Sequence, residues 1–159
     1  MKASEGKIGR VFVLRLEHGD IIPDVIEAFA GRKKIGVAQV IMVGGVCGGQ
    51  VVVGPRYSDK LPPEPIVVPV DGAHELAGLG LIAPDHKGKP VLHVHAALGR
   101  SGKTTTGCMR LGVPAWIIGE VVVIEILGTG AVRLPDKKTG FELLSLDKKS
   151  SINKRIKKM

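Results

Sequence analysis

Most of the 22 glycines of this chain fall between apolar runs, and that punctuation most limits how it can fold. Glycine weakens the interior of helices and strands and serves tight turns, so aliphatic runs divided by glycine read as strands joined by turns. Aromatic residues make up 3% of the chain against 44% hydrophobic, so the core must be aliphatic. A sheet-rich fold is expected rather than a helical bundle. The 159 residues suit one domain.

Residues 8–16 predict a first strand, with Val11, Val13 and Arg15 on one face and Phe12, Leu14 and Leu16 on the other. Arg10 and Arg15 are expected to pair with carboxylates or reach water. Asp20 as N-cap and Pro23 in the first turn predict a helix placing Ile21, Ile22, Val25, Ile26 and Phe29 on one face. Gly31 and Gly36 end it, and Asp24 and the Arg32-Lys33-Lys34 run suit its macrodipole. Residues 37–54 are uncharged over 18 positions, near the lower limit for a membrane span. Five glycines and two glutamines there fit two strands better, 37–46 and 50–53, paired with each other through Gly44-Gly45 and Gly48-Gly49. Residues 55–65 form a proline-stiffened loop. Residues 66–70, 72–83 and 91–98 predict further strands, followed by a polar hairpin tip at 99–103 and a returning strand at 104–109. Residues 115–127 are the most apolar stretch. Glu120 and Glu125 fall on its opposite faces and read as solvent-facing in preference to partners of a metal-bound histidine. Residues 131–144 predict a final hairpin.

His93 and His95 stand one residue apart inside the apolar run 92–98. Alternation along a strand puts both imidazoles on one face, close enough to share a small cation. Cys108, thirteen residues on, offers a soft third donor on the returning strand. Two histidines and a cysteine are ligands that zinc accepts. The same spacing describes two polar residues on the solvent face of a half-buried strand, and spacing does not separate these readings. A three-ligand site would leave a position for an activated water, with Glu75 or Glu125 as the proton carrier. His18 reads as a turn residue and Cys47 as an inert buried thiol. The chain contains no GxGxxG after a strand, no P-loop, no GxSxG and no CxxC pair, and no catalytic residue or substrate is legible.

The formal charge of +8 is uneven: residues 147–159 carry a net +5, leaving +3 for the rest. Lys148, Lys149, Lys154, Arg155, Lys157 and Lys158 can neutralise phosphates without sequence preference, and such a tail can equally be solubilising and disordered. Two cysteines are too few for a disulfide scaffold, and residues 1–7 hold no apolar signal region, so a reducing cytoplasm is expected and no membrane.

The order of these segments resembles the PPC (plants and prokaryotes conserved) domain, which accompanies AT-hook DNA-binding motifs in land plants. The resemblance rests on Arg10-Val11-Phe12-Val13-Leu14-Arg15-Leu16-Glu17-His18-Gly19-Asp20, on Gly44-Gly45, and on His74-Glu75-Leu76-Ala77-Gly78-Leu79-Gly80-Leu81-Ile82. It continues through His93-Val94-His95-Ala96-Ala97-Leu98-Gly99 and Arg133-Leu134-Pro135-Asp136 to Thr139-Gly140-Phe141-Glu142, spanning residues 8–146. It implies an α+β fold, a curved, mainly antiparallel sheet with one or two packed helices, over a single domain 1–146 followed by a basic tail 147–159. It also implies a homotrimer built through the sheet and, in some prokaryotic members, a metal site of a His-x-His pair with a third histidine. His93 and His95 match the pair. Cys108 stands at the third position, so the site either persists as His₂Cys, with zinc the expected ion, or has lost its metal. The AT-hook core Arg-Gly-Arg-Pro is absent, which suggests a stand-alone prokaryotic member whose DNA contact would come from the tail. Two readings follow: a trimeric binding module that is DNA-associated through the tail and carries the metal site, or a zinc-type enzyme acting on a small molecule.

Overall fold

The computed structural model describes residues 1–146. Eight strands form one antiparallel path: β1 (Lys7–Leu16), β9 (Val113–Leu127), β3 (Val37–Cys47), β6 (Ala73–Pro84), β7 (Pro90–Arg100), β8 (Lys103–Cys108), β4 (Gln50–Pro55) and β5 (Pro65–Pro69), in that order across the sheet. The two-residue β2 (Ile21–Ile22) pairs with β9, and β10 (Val132–Pro135) and β11 (Glu142–Ser145) form a separate hairpin. Among the described residues there is one α-helix, α1 (Asp24–Lys33). The fold is the α+β architecture expected, a curved and mainly antiparallel sheet with a helix packed on it.

Alternation decides which side chains the helix covers. Val40, Met42, Ile82, Leu92, Val94, Ala96, Val121 and Val123 all point to one face and are buried with Ile26 and Ala30 of α1. Beside this aliphatic core Phe12 meets Phe29 edge to face, centroids 5.2 Å apart. The Glu27 carboxylate fastens α1 to the sheet by accepting the Leu92 N–H at 2.9 Å. On the other face Val13, Val122, Ile41, Leu79, His95 and Cys108 are successive cross-strand partners, forming one row over six strands. Among the described residues nothing covers much of that row: Val13 is 77%, Ile41 41% and Leu79 63% exposed.

Four local expectations are corrected. Asp20 does not cap the helix: its carboxylate accepts the Glu17 N–H at 2.9 Å and closes the turn, while Ile21–Ile22 pair with β9 and Pro23 takes the cap position. Gly31 lies inside α1, and the helix ends at Lys34, whose left-handed φ of 54° directs its N–H back to the carbonyls of Ala30 and Gly31. Strands β3 and β4 do not pair with each other. β3 lies between β6 and β9, long strands that match its length, whereas β4 lies between β5 and β8. At Gly44 a Cβ would stand 2.3 Å from the Ile118 carbonyl oxygen, so glycine there permits the close approach of β9 rather than a turn back into β4. Glu125 is not solvent-facing. It lies across from Ala38 on the helix side, is 5% exposed, and takes two hydrogen bonds from the Arg10 side chain, at 2.7 and 2.8 Å.

Arg10 and Arg15 do pair with carboxylates, Arg15 with Glu17 at the surface. His18 is a turn residue, and its Nδ1 accepts the N–H of Ile117 at 3.3 Å. Cys47 is a free thiol, half-buried at the end of β3. No helix among the described residues is long and apolar enough to cross a membrane, and residues 37–54 are strand and turn.

The hydrogen bonds from Arg10 hold the Glu125 carboxyl at about 2, below its ordinary 4.5, although burial opposes the charge. Because the folded value is depressed, the stability from this pair is present above about 4.5 and is lost as pH falls toward about 2. Glu125→Gln should therefore lower the denaturation midpoint at neutral pH, and the gap to the parent protein should close as pH falls through that window in acid-titrated unfolding.

Candidate metal centre

Strands β7 and β8 bring the predicted donors together. A two-residue turn, Ser101–Gly102, joins them with φ of 51° and 74°, the left-handed pair suited to a tight hairpin. The register that follows sets His95 directly opposite Cys108. On the far side of β8, Val52 of β4 pairs with the same Cys108, so the thiol is held between two strands and is buried while both histidines are exposed. The donor atoms of His93, His95 and Cys108 all lie within 4.8 Å of one another.

The two imidazoles meet edge to face, with Nε2 atoms 3.0 Å apart. Two imidazolium ions cannot stand at that separation, so one neutral ring donates to the other. The pKa values agree in direction. His93 is lowered chiefly by burial and then by the charges of Arg133 and Arg110, and His95 by burial, His93 and Arg110. Both rings are therefore neutral near pH 7, the form that ligates metals. Around a tetrahedral zinc, nitrogen and sulfur donors would stand about 3.3–3.6 Å apart. The observed triad needs only small side-chain adjustments to reach that spacing, and its chemistry, two imidazoles and a thiol, fits a zinc-type ion.

Two arginines complete the surroundings, and neither was singled out from the sequence. Arg110 Nε donates to Cys108 Sγ at 3.2 Å, and its guanidinium lies 5.7 Å from the Phe141 ring centre. Arg133 of β10 reaches the rung that carries His93, donating from Nη2 to the Leu81 carbonyl at 3.1 Å. Its sequence signal was an arginine alternating with apolar residues in the last hairpin, which reads equally well as a surface position. Cavities open on both sides of the triad and share Cys108, Arg110 and Phe141. One, of about 610 Å³, runs from His93 to the β10–β11 hairpin. The other, of about 450 Å³, runs from His95 along the apolar β4–β5 edge past Val53, Pro55 and Val67.

The guessed proton carriers are not part of this site. Glu125 is on the opposite face with Arg10, and Glu75 pairs with Gly99, lining a separate cavity with His74, Arg100 and Trp116. The carboxylate that does border the triad's cavity is Glu142, within 3.5 Å of His86. Glu120, exposed on the histidine face, lies opposite Val43, three strands from β7. Lys148, Lys149, Lys154, Arg155, Lys157 and Lys158 lie outside the described residues.

Solved structures share this arrangement of strands. A metal-containing protein of Archaeoglobus fulgidus is 27% identical with a TM-score of 0.78, covering 91% of this chain and 99% of that one. A plant- and prokaryote-conserved protein of Pyrococcus horikoshii is 22% identical with a TM-score of 0.75 over 91% and 99% of the two chains. A proposed DNA-binding protein of Ralstonia eutropha is 18% identical with a TM-score of 0.70 over 85% and 90%. No curated protein matches the chain by sequence. The sequence model of the Plants and Prokaryotes Conserved domain matches residues 3–127, so the β10–β11 hairpin lies beyond the matched segment. With most of its length so matched, the chain belongs to the Plants and Prokaryotes Conserved (PCC) domain family.

Proposed function

We propose that this protein is a trimeric binding module of the PCC family that holds a zinc-type ion through His93, His95 and Cys108. The observation that carries the reading is the convergence of these three donors within 4.8 Å on the face of the sheet opposite α1. The similar Archaeoglobus protein, which is metal-containing, supports it. Such an ion would act as a Lewis acid toward a ligand entering its fourth position. The residues of the chain have their own tasks. The β7–β8 register aligns His95 with the thiol, Arg110 holds the sulfur by a hydrogen bond, and the Phe141 ring stands 5.7 Å from the Arg110 guanidinium. A reducing cytoplasm would keep Cys108 available as a ligand.

The aliphatic row of exposed Val13, Ile41 and Leu79 and half-buried Val122 supports assembly through the sheet, since an apolar surface of this extent favours burial against another copy. The folded module then corresponds to residues 1–146, and residues 147–159 act as a basic tail that associates with DNA through phosphates. Three copies of that tail would bind with avidity. Proteins of the same fold from Ralstonia eutropha and Bacteroides thetaiotaomicron carry a proposed DNA-binding role.

A second reading, a metal-dependent enzyme acting on a small molecule, is favoured by the 610 Å³ cavity that opens at His93. That volume is in the range of small-ligand sites.

Elemental analysis should find about one zinc-type ion per chain after purification or after zinc addition, and His93→Ala should remove it with unchanged circular dichroism. Because both histidine pKa values are lowered from 6.5, the metal should be retained as pH falls through 6.5 and released at lower pH, when the rings protonate. No metal in the parent protein, before or after zinc, would refute the site. In sedimentation, Leu79→Asp should convert trimers to folded monomers. A gel shift at low salt should weaken by tenfold or more when residues 147–159 are removed, and the remaining binding should be less salt-sensitive; equal binding would take the tail out of the account.

A further inference from the structure

The cavity between β7 and the β10–β11 hairpin contains a charge that the metal reading leaves unexplained. Arg133 is only 6% exposed, and it makes no ion pair among the described residues. Its one hydrogen bond is from Nη2 to the Leu81 carbonyl, and its Nε has no partner among the described residues. Burying a guanidinium is costly unless an anion or acceptors compensate it, and an orphaned donor adds to that cost. Arg110 stands on the same cavity wall. Its Nε is engaged by the Cys108 sulfur, while its two terminal nitrogens have no hydrogen-bond partner among the described residues. The acid bordering the cavity, Glu142, lies within 3.5 Å of His86 and, with Glu27, partly offsets the Arg133 charge without pairing with it. Two guanidinium groups against one carboxylate make the cavity electropositive. The other walls are apolar: Val91, Phe141, Leu143 and Leu144.

We propose that this cavity binds a small organic anion, with Arg133 and Arg110 holding its carboxylate or phosphate head beside the His93–His95–Cys108 triad and the apolar hairpin covering its body. Planar forked donors match both head groups. The Arg110 terminal nitrogens are free to donate to oxygens of the head, and the buried Arg133 guanidinium adds its positive charge from the cavity wall. The proposal deepens the reading of the triad as a metal site, because the cavity that would hold the head is lined by His93 and Cys108, two of the residues that would hold the ion. It stands on the guanidinium groups, so the metal-free protein is the proper object of the first test.

The full-length protein, stripped of metal with EDTA, is titrated calorimetrically at low ionic strength with hexanoate, hexyl phosphate and hexylamine. At least one of the two anions should saturate at one per chain, and whichever binds tighter identifies the head group; hexylamine should give no heat of binding. Arg133→Met and Arg110→Gln should each weaken anion binding at least about tenfold, and Arg133→Met, which removes no contact to the Cys108 sulfur, should leave zinc binding in place. His93→Ala should lose zinc and keep anion binding, so failure of the metal reading and failure of this one are told apart. If Arg133→Met does not fold, Arg110→Gln, at an exposed position, decides the matter. Absence of binding by both anions, equal binding of hexylamine, or anion binding unchanged in the folded variants would overturn the proposal.

Discussion

Along β7, Leu92, Val94, Ala96 and Leu98 are buried under the helix while His93 and His95 are exposed, and the molecule is organised around this alternation. A strand repeats every second residue, so a slip of one position would exchange the two sets. It would bury two imidazoles among aliphatic side chains and put four core residues in water. The long neighbours hold the register: β3, β6 and β9 pair over nearly their full lengths, and the tight turn at Ser101–Gly102 transmits the register of β7 to β8. The donor triad therefore depends on the packing of the opposite face, on residues that never touch it.

The same parity separates the charges of the molecule. Glu125 and Arg10 lie on the helix side, where Arg10 also donates to the carbonyl of Lys33 at the end of α1. They act as a clasp between the edge strand, the helix and β9. The histidine face has another arrangement. Its cations near the triad are Arg110 and Arg133, set against the single carboxylate Glu142, and both arginines lower the affinity of His93 for protons. A site assembled in this way favours neutral rings and negative ligands at once, which is why the metal and anion readings reinforce one another.

Much of the fold was legible because its signals are local. Residues 73–84 and 90–100 are strands as alternation predicts, the polar tip at 99–103 is a hairpin turn, and the last segment is a hairpin. Misreadings arose where a local signal met a non-local competitor. Asp20 has the chemistry of a helix cap, yet its carboxylate closes the turn in front of the short strand that pairs with β9. Glycines at 44 and 45 look like a turn, but they admit the backbone of β9 and the Trp116 ring. Of the site, His93 and His95 could be placed on one face from spacing alone, and Cys108 was a candidate third donor on the returning strand, whereas the register that sets it opposite His95 could not be read. Arg133 could not have been found: it arrives from a hairpin 40 residues away in sequence from His93, and nothing in that hairpin marks its one buried cation.

The sequence by itself determined the aliphatic core, the sheet-rich class, the parity that pairs the two histidines, and the concentration of positive charge in the last thirteen residues. These follow from composition and from periodicity along one strand, which need no knowledge of neighbours. Tertiary structure alone decided that β3 lies between β6 and β9, that Glu125 turns inward to Arg10, that Cys108 lies across from His95, and that Arg110 and Arg133 border the same cavity. Each of these is a contact between segments distant in the chain or a register between strands, settled by which long apolar partners pack together, and that competition is not written in any one stretch of residues.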